Sequence, residues 1–205
     1  MPLGCASSPG IFQRCIEQLL VGVPTTKSFY DDILVAGKGV AHDQNLEQVL
    51  TTLQEKGLKL KLSKCELAKA EVKYLGFLIN GSGLHNLPEV ISAIKDAPAP
   101  TDIDQFRSFL GFVNQYSKFI RGCAAILAPL SSLLQKGAKW LWDKNCQSAF
   151  DSVKREFFAA GILVHYDPKL PLKLVCDASP YGIGAAIFHV FPSGEERLLL
   201  LPLAL

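Results

Sequence analysis

Two acidic residues in a row, Asp31 and Asp32, stand inside an otherwise uncharged stretch, Phe29-Tyr30-Asp31-Asp32-Ile33-Leu34-Val35. Lys27 to Gly37 reads as a strand, a tight acidic turn and a second strand. Adjacent carboxylates at a hairpin tip suit Mg²⁺. A hard cation takes oxygen ligands and keeps waters and substrate phosphates in its other positions. Two such ions about 4 Å apart stabilise both the attacking and the leaving oxygen of a phosphoryl transfer. Taken alone, the pair reads as a solvated acidic turn, so its context decides.

The elements that would hold the pair follow from periodicity. Ser8 to Gly22 predicts a helix, with Pro9 in its first turn and Ile11, Phe12, Cys15, Ile16, Leu19 and Leu20 at three- and four-residue steps. A second helix is expected from Asp43 to Lys56, with Leu46, Val49, Leu50 and Leu53 on one face and Gly57 as its stop. Leu58, Leu60 and Leu62 alternate with lysines and predict a half-buried strand. Val72 to Ile79 predicts another, closed by the turn signal Asn80-Gly81.

Pro98 and Pro100 mark a boundary, after which Thr101 would cap a helix reaching Arg121. That helix is apolar on two faces and should be covered on both. Helices are expected over 128–136 and 145–160, then strands over 172–176 and 182–190. Helices packed on strands in this order make an α+β fold.

The 205 residues suffice for one large or two small domains. Hydrophobic content is 49% and the mean hydropathy +0.22. A net charge of +2 gives no general attraction to nucleic acid. The densest basic run, Lys56, Lys59, Lys61, Lys64, Lys69 and Lys73, is diluted by Glu55, Glu66 and Glu71. It suits a solvated face as well as phosphate contact. The cysteines at 5, 15, 65, 123, 146 and 176 form no C-x-x-C pair, and they read as buried small residues in a reducing compartment. No signal peptide opens the chain, and the Leu198–Leu205 run is far short of the ~20 residues that span a bilayer. An intracellular protein, neither secreted nor membrane-inserted, is expected.

A succession of short segments adds to the acidic hairpin. Met1-Pro2-Leu3-Gly4 and Ser8-Pro9-Gly10-Ile11-Phe12-Gln13-Arg14 precede it. Gly57-Leu58-Lys59-Leu60, Lys64-Cys65 and Val72 to Ile79 follow, then Phe106-Arg107-Ser108-Phe109-Leu110-Gly111 and Lys118-Phe119-Ile120. Trp140-Leu141-Trp142, His165-Tyr166-Asp167-Pro168 and Cys176-Asp177-Ala178-Ser179 complete the series. In this order the chain resembles the reverse transcriptase and ribonuclease H region of gypsy-type LTR retrotransposon Pol polyproteins, over residues 1 to 197.

The resemblance implies a division into a partial reverse transcriptase palm (1–83), a thumb or connection-like helical region (84–136) and the first strands of a ribonuclease H-like fold (137–205). It makes Asp31 and Asp32 the paired palm aspartates that bind Mg²⁺ together with a third aspartate from an earlier strand. Phe29 stands where the family has tyrosine, with Tyr30 in the variable slot. Leu3 replaces the phenylalanine of a Pro-Phe-Gly segment near the incoming nucleotide. Phe12 and Gln13 match the helix behind the nucleotide pocket, although core packing accounts for Phe12 equally. Tyr74, Leu75 and Gly76 match the hairpin that supports the primer end, or form an ordinary strand. Lys118 and Arg121 become candidate phosphate contacts. Asp177 matches the first ribonuclease H carboxylate and Mg²⁺ ligand, with Gly182 and Gly184 allowing a close neighbouring strand.

Partners implied by the resemblance are an RNA/DNA hybrid or primer-template duplex and a deoxynucleoside triphosphate. The third palm aspartate and the later ribonuclease H acids are unmatched. A fragment truncated at both ends and inactive by itself is therefore expected. A domesticated nucleic-acid- or protein-binding remnant and a translated relic are the alternatives.

Overall fold

Apolar side chains at helical steps and a proline in the first turn set helix α1, Ser8–Leu19. The computed structural model describes residues 5–120, 123–135, 137, 139–159, 162–179 and 182–199. The chain folds as two compact units, Met1–Ala68 and Lys69–Leu205.

In the first unit α1 is followed by strands β1 (Thr26–Phe29) and β2 (Asp32–Val35), paired antiparallel, and by helix α2 (Gly39–Glu55). Ile16, Leu20, Val23, Val49 and Leu53 form the core, with Phe12, Ile33, Val35 and Leu58 packed on it. The α2 helix begins before the expected Asp43. The Asp43 carboxylate turns to His42 Nδ1 at 3.1 Å instead of capping the backbone. Leu50, expected on the buried face, is exposed.

The strand expected over Leu58, Leu60 and Leu62 does not form among the described residues. Leu58 reaches the core, but Leu60 and Leu62 are exposed, and a 3₁₀ turn at Leu62–Lys64 ends the segment. Alternation alone supplies no partner ladder.

In the second unit the single strand expected over 72–79 folds back on itself. Strand β3 (Glu71–Tyr74) pairs with β4 (Phe77–Asn80), which pairs with β5 (Gly83–Asn86). The Asn80-Gly81 signal marks the second turn correctly. Helix α3 (Pro88–Asp96) starts on a proline. Helix α4 (Ile103–Tyr116) is capped by Asp102, not Thr101. The Asp102 carboxylate accepts from the N–H groups of Asp104 and Gln105 at 3.0 and 2.9 Å, and the Gln105 bond chiefly holds it below the usual carboxylate range. A 3₁₀ turn at Ser117–Phe119 ends α4 short of Arg121, which lies outside the described residues.

Helices α5 (Cys123–Ser131) and α6 (Lys144–Ala159) complete the helical layer, and apolar residues from both pack against α4. Val113 and Tyr116 pack with Ile94, Phe119, Val153 and Phe157. Phe106 packs with Leu130, Leu133 and Cys146, and Trp140 and Trp142 lie against that cluster. Strands β6 (Leu172–Ser179), β7 (Gly182–Val190) and β8 (Glu196–Leu198) form an antiparallel sheet in sequence order. The cysteines are not uniformly buried. Cys146 is buried, whereas Cys5, Cys15 and Cys176 are exposed.

Residues 163–164 join this sheet to the β3–β5 sheet. Leu163 and Leu84 exchange backbone hydrogen bonds of 2.8 and 3.1 Å, and the Val164 N–H donates to Leu198 at 2.9 Å. The approach requires Gly83. Its φ is +145°, and a Cβ there would lie 2.2 Å from the Leu163 carbonyl oxygen. Gly83→Ala is expected to lower unfolding stability by roughly 3 kcal/mol through backbone clash and strain. A denaturant midpoint unchanged from the parent chain would contradict that packing.

Candidate functional site

Period-two alternation turns Ile33 and Val35 of β2 onto the first unit's core and leaves the acidic tip outside it. The register pairs Phe29 with Asp32, so Tyr30 and Asp31 form a two-residue loop. Asp31 and Asp32 are both exposed, as adjacent carboxylates at the tip of the hairpin. Phe29 and Tyr30 stack edge-on, with ring centroids 4.6 Å apart.

The loop is strained, because Tyr30 has φ +51°, a region that non-glycine residues seldom occupy. Gln13, on α1, holds it. Its Oε1 accepts from the Tyr30 N–H at 2.5 Å, and its Nε2 donates to the Ser28 carbonyl at 3.0 Å and to Glu17 Oε1 at 2.6 Å. The backbone donor fixes which end of the amide is oxygen. At the base of the hairpin, the Thr25 hydroxyl donates to the Ala36 carbonyl, the Ala36 N–H returns a bond at 2.9 Å, and Asn45 of α2 donates to Thr25 Oγ1 at 3.2 Å. Phe12 sits at the edge of the core, which favours the packing reading of that residue.

Two adjacent carboxylates are a donor set that fits a Mg²⁺ ion retaining most of its waters. Among the described residues, no group of three or more His, Cys, Asp or Glu side chains could hold a metal.

In the second unit, Tyr74 and Phe77 pair across a two-residue turn whose Leu75 and Gly76 have φ of +52° and +82°. Left-handed conformations at both positions define the tight hairpin turn that matches strand twist, yet here a leucine, 40% exposed, occupies the first of them. The Tyr116 hydroxyl, from α4, donates to the Gly76 carbonyl at 3.2 Å. Burial pushes the Tyr116 phenol above its usual range. Its ring meets Phe77 edge-on at 5.1 Å.

Lys118 projects its ammonium over the face of Phe77, 3.9 Å from the centroid, and burial lowers its pKa. That placement serves the core beneath the turn. Asp177 lies in β6 opposite Gly184. Leu3 and Arg121 fall outside the described residues.

The basic run is divided between the units. Lys56, Lys59, Lys61 and Lys64 are exposed in the first, while Lys73 in the second pairs with Glu89 at 2.7 Å. Sequence reasoning missed the Tyr116 contact and the clamping role of Gln13. Both act on residues distant along the chain and leave no local signal.

Residues 1–79 match the family described as reverse transcriptase (RNA-dependent DNA polymerase), and residues 142–201 match the RNase H-like domain found in reverse transcriptase. The Tf2-3 transposon polyprotein of Schizosaccharomyces pombe is 30% identical over 190 residues, covering 91% of this chain and 14% of the relative. The Retrovirus-related Pol polyprotein from transposon 297 of Drosophila melanogaster is 32% identical over 191 residues, again 91% of this chain and 18% of the relative. The chain thus spans less than a fifth of either curated relative. The foamy viral protease-reverse transcriptase solved with dsDNA is 26% identical with a TM-score of 0.77, over 97% of this chain and 42% of that one. The form solved with an RNA/DNA hybrid has a TM-score of 0.76 at 26% identity, over 98% and 28%.

Gln13→Ala removes both hairpin bonds while leaving the core intact. It should cost about 1 kcal/mol and speed amide hydrogen exchange at Tyr30. Unchanged exchange there would show that the amide does not restrain the loop. Tyr116→Phe keeps the ring packing and deletes the bond to Gly76. A loss of about 1 kcal/mol, with faster exchange confined to the Leu75–Gly76 turn, is the expected readout.

Proposed function

We propose that this chain, which belongs to the reverse transcriptase and ribonuclease H region of gypsy-type retrotransposon Pol polyproteins, binds nucleic-acid duplex without extending it on its own. The observation that supports duplex binding is the likeness, over 97% of this chain, to a protease-reverse transcriptase solved with dsDNA, and the Asp31–Asp32 pair, exposed at the tip of a hairpin that Gln13 restrains, supports the metal site. Reverse transcriptase and RNase H-like families are generally dependent on divalent metal. Asp31 and Asp32 are the residues that would hold Mg²⁺, and Asp177 would hold it in the ribonuclease H-like part. When bound, the ion supplies Lewis-acid stabilisation of the transferring phosphoryl group.

The protein's own residues place the carboxylates. Gln13 fixes the loop, Ile33 and Val35 anchor the strand, and Tyr30 presents its ring beside the acids. The Leu75–Gly76 turn, braced by Tyr116, offers an apolar tip to a primer end. The substrates would be a primer-template duplex or RNA/DNA hybrid with a deoxynucleoside triphosphate. This agrees with the complexes in which the foamy viral enzyme was solved. A division into palm (1–83), thumb (84–136) and ribonuclease H-like (137–205) parts belongs to the same proposal. No helix among the described residues is long and apolar enough to cross a membrane.

Among the described residues no third acid joins Asp31 and Asp32 in a group that could hold a metal. Purified chain should bind a primer-template duplex with an affinity that falls as salt rises, because neutralised phosphates release counterions. It should yield no primer extension with Mg²⁺ and nucleotides. Extension abolished by Asp31→Asn would refute the inactivity. Absent or salt-independent duplex binding would refute the binding.

A further inference from the structure

Asn80 ends β4 at the Gly81–Ser82 turn, and donors surround its side-chain carbonyl. Oδ1 accepts from the Ser82 N–H at 2.9 Å and from the Ser82 hydroxyl at 2.6 Å, and His85 Nε2 lies 3.0 Å away. The Ser82 N–H can only donate, which settles the orientation of the amide. His85 Nε2 also lies 2.9 Å from Ser82 Oγ, so one protonated imidazole nitrogen serves both oxygens. On the main chain, His165 Nε2 lies 2.9 Å from the Asn80 carbonyl oxygen. Gly81 follows, with nothing within 4 Å of the position a Cβ would take.

We propose that Asn80-Gly81 is a site of intramolecular deamidation, with the Gly81 nitrogen as nucleophile and the Ser82 and His85 donors as the cradle for the oxyanion. The Gly81 nitrogen forms a bond to Asn80 Cγ and gives up its proton. The Cγ–Nδ2 bond then breaks, and ammonia leaves a succinimide ring. Water opens the ring at either carbonyl to give aspartate or isoaspartate. The step needs no oxidant and no cofactor. Charge developing on Oδ1 during the addition is met by the Ser82 N–H, the Ser82 hydroxyl and His85, donors already in place before reaction. The His165 bond withdraws density from the Asn80–Gly81 peptide and makes the attacking N–H more acidic.

The product puts a carboxylate among Ser82 and His85. In the isoaspartyl form it also lengthens the main chain where Asn80 pairs with Glu71 and Gly83. Charge and register thus change irreversibly beside the Leu84–Leu163 join between the two sheets.

The test incubates the full chain at neutral pH and follows Asn80 by peptide mass spectrometry and isoaspartyl labelling, in buffer and in urea. Conversion should run faster in the folded chain than in urea. Ser82→Ala and His85→Ala should each slow the folded reaction roughly tenfold, less than loss of a donor in a closed enzyme site, and leave the urea rate unchanged. Gly81→Ala, which meets no steric obstacle, should slow conversion in both conditions. A folded rate at or below the urea rate overturns the proposal, as does faster conversion on removal of His85. Either result would mean that the network shields the amide. The comparison with urea requires no variant and stands whether or not His85→Ala folds.

Discussion

A side-chain amide reaching from one helix holds the backbone of the acidic hairpin's tip. Asp31 and Asp32 are like charges in adjacent positions, and the loop that carries them includes a tyrosine in the left-handed region. Gln13 accepts from the Tyr30 N–H in the loop and donates to the Ser28 carbonyl of β1, which ties α1 to the β1 side of the turn. The core beneath gives this clamp a rigid base, because Ile33 and Val35 share it with Ile16 and Val49. Strain of this kind persists only where its surroundings over-determine it.

The second unit repeats the device with different chemistry. Its Leu75–Gly76 turn also opens on a non-glycine residue with positive φ, and again a helix supplies the restraint, here the phenol of Tyr116. In both units a two-residue turn presents an exposed side chain that its backbone would not choose unaided. Tyr116 further belongs to the cluster that binds α4 to α6 through Val153 and Phe157, so the turn is coupled to the helical layer. The His165-Tyr166-Asp167-Pro168 segment has a comparable structural role. The Asp167 N–H donates to the buried His189 at 2.9 Å, Tyr166 stacks on that imidazole, and His165 reaches back to Asn80. A motif that marks ancestry in the sequence is here a set of ties between elements.

The amino-acid order by itself determined the acidic hairpin, helices α1, α2, α4 and α6, strands β6 and β7, and the turn at Asn80-Gly81. These rest on local signals: period, proline, glycine and adjacent charge. It also carried the family, since the segments occur in a recognisable succession. Tertiary structure decided where side chains compete for partners. Leu58 to Leu62 alternates like a strand, but no neighbouring strand pairs with it among the described residues. Thr101 and Asp102 could each cap α4, and the carboxylate takes the N–H groups. The order of residues does not show that Lys118 sets its ammonium over the ring of Phe77, forty-one positions earlier in the sequence. Gln13 and Tyr116 were likewise illegible as clamps, because a hydrogen bond between residues far apart in the chain depends on the packing that brings them together.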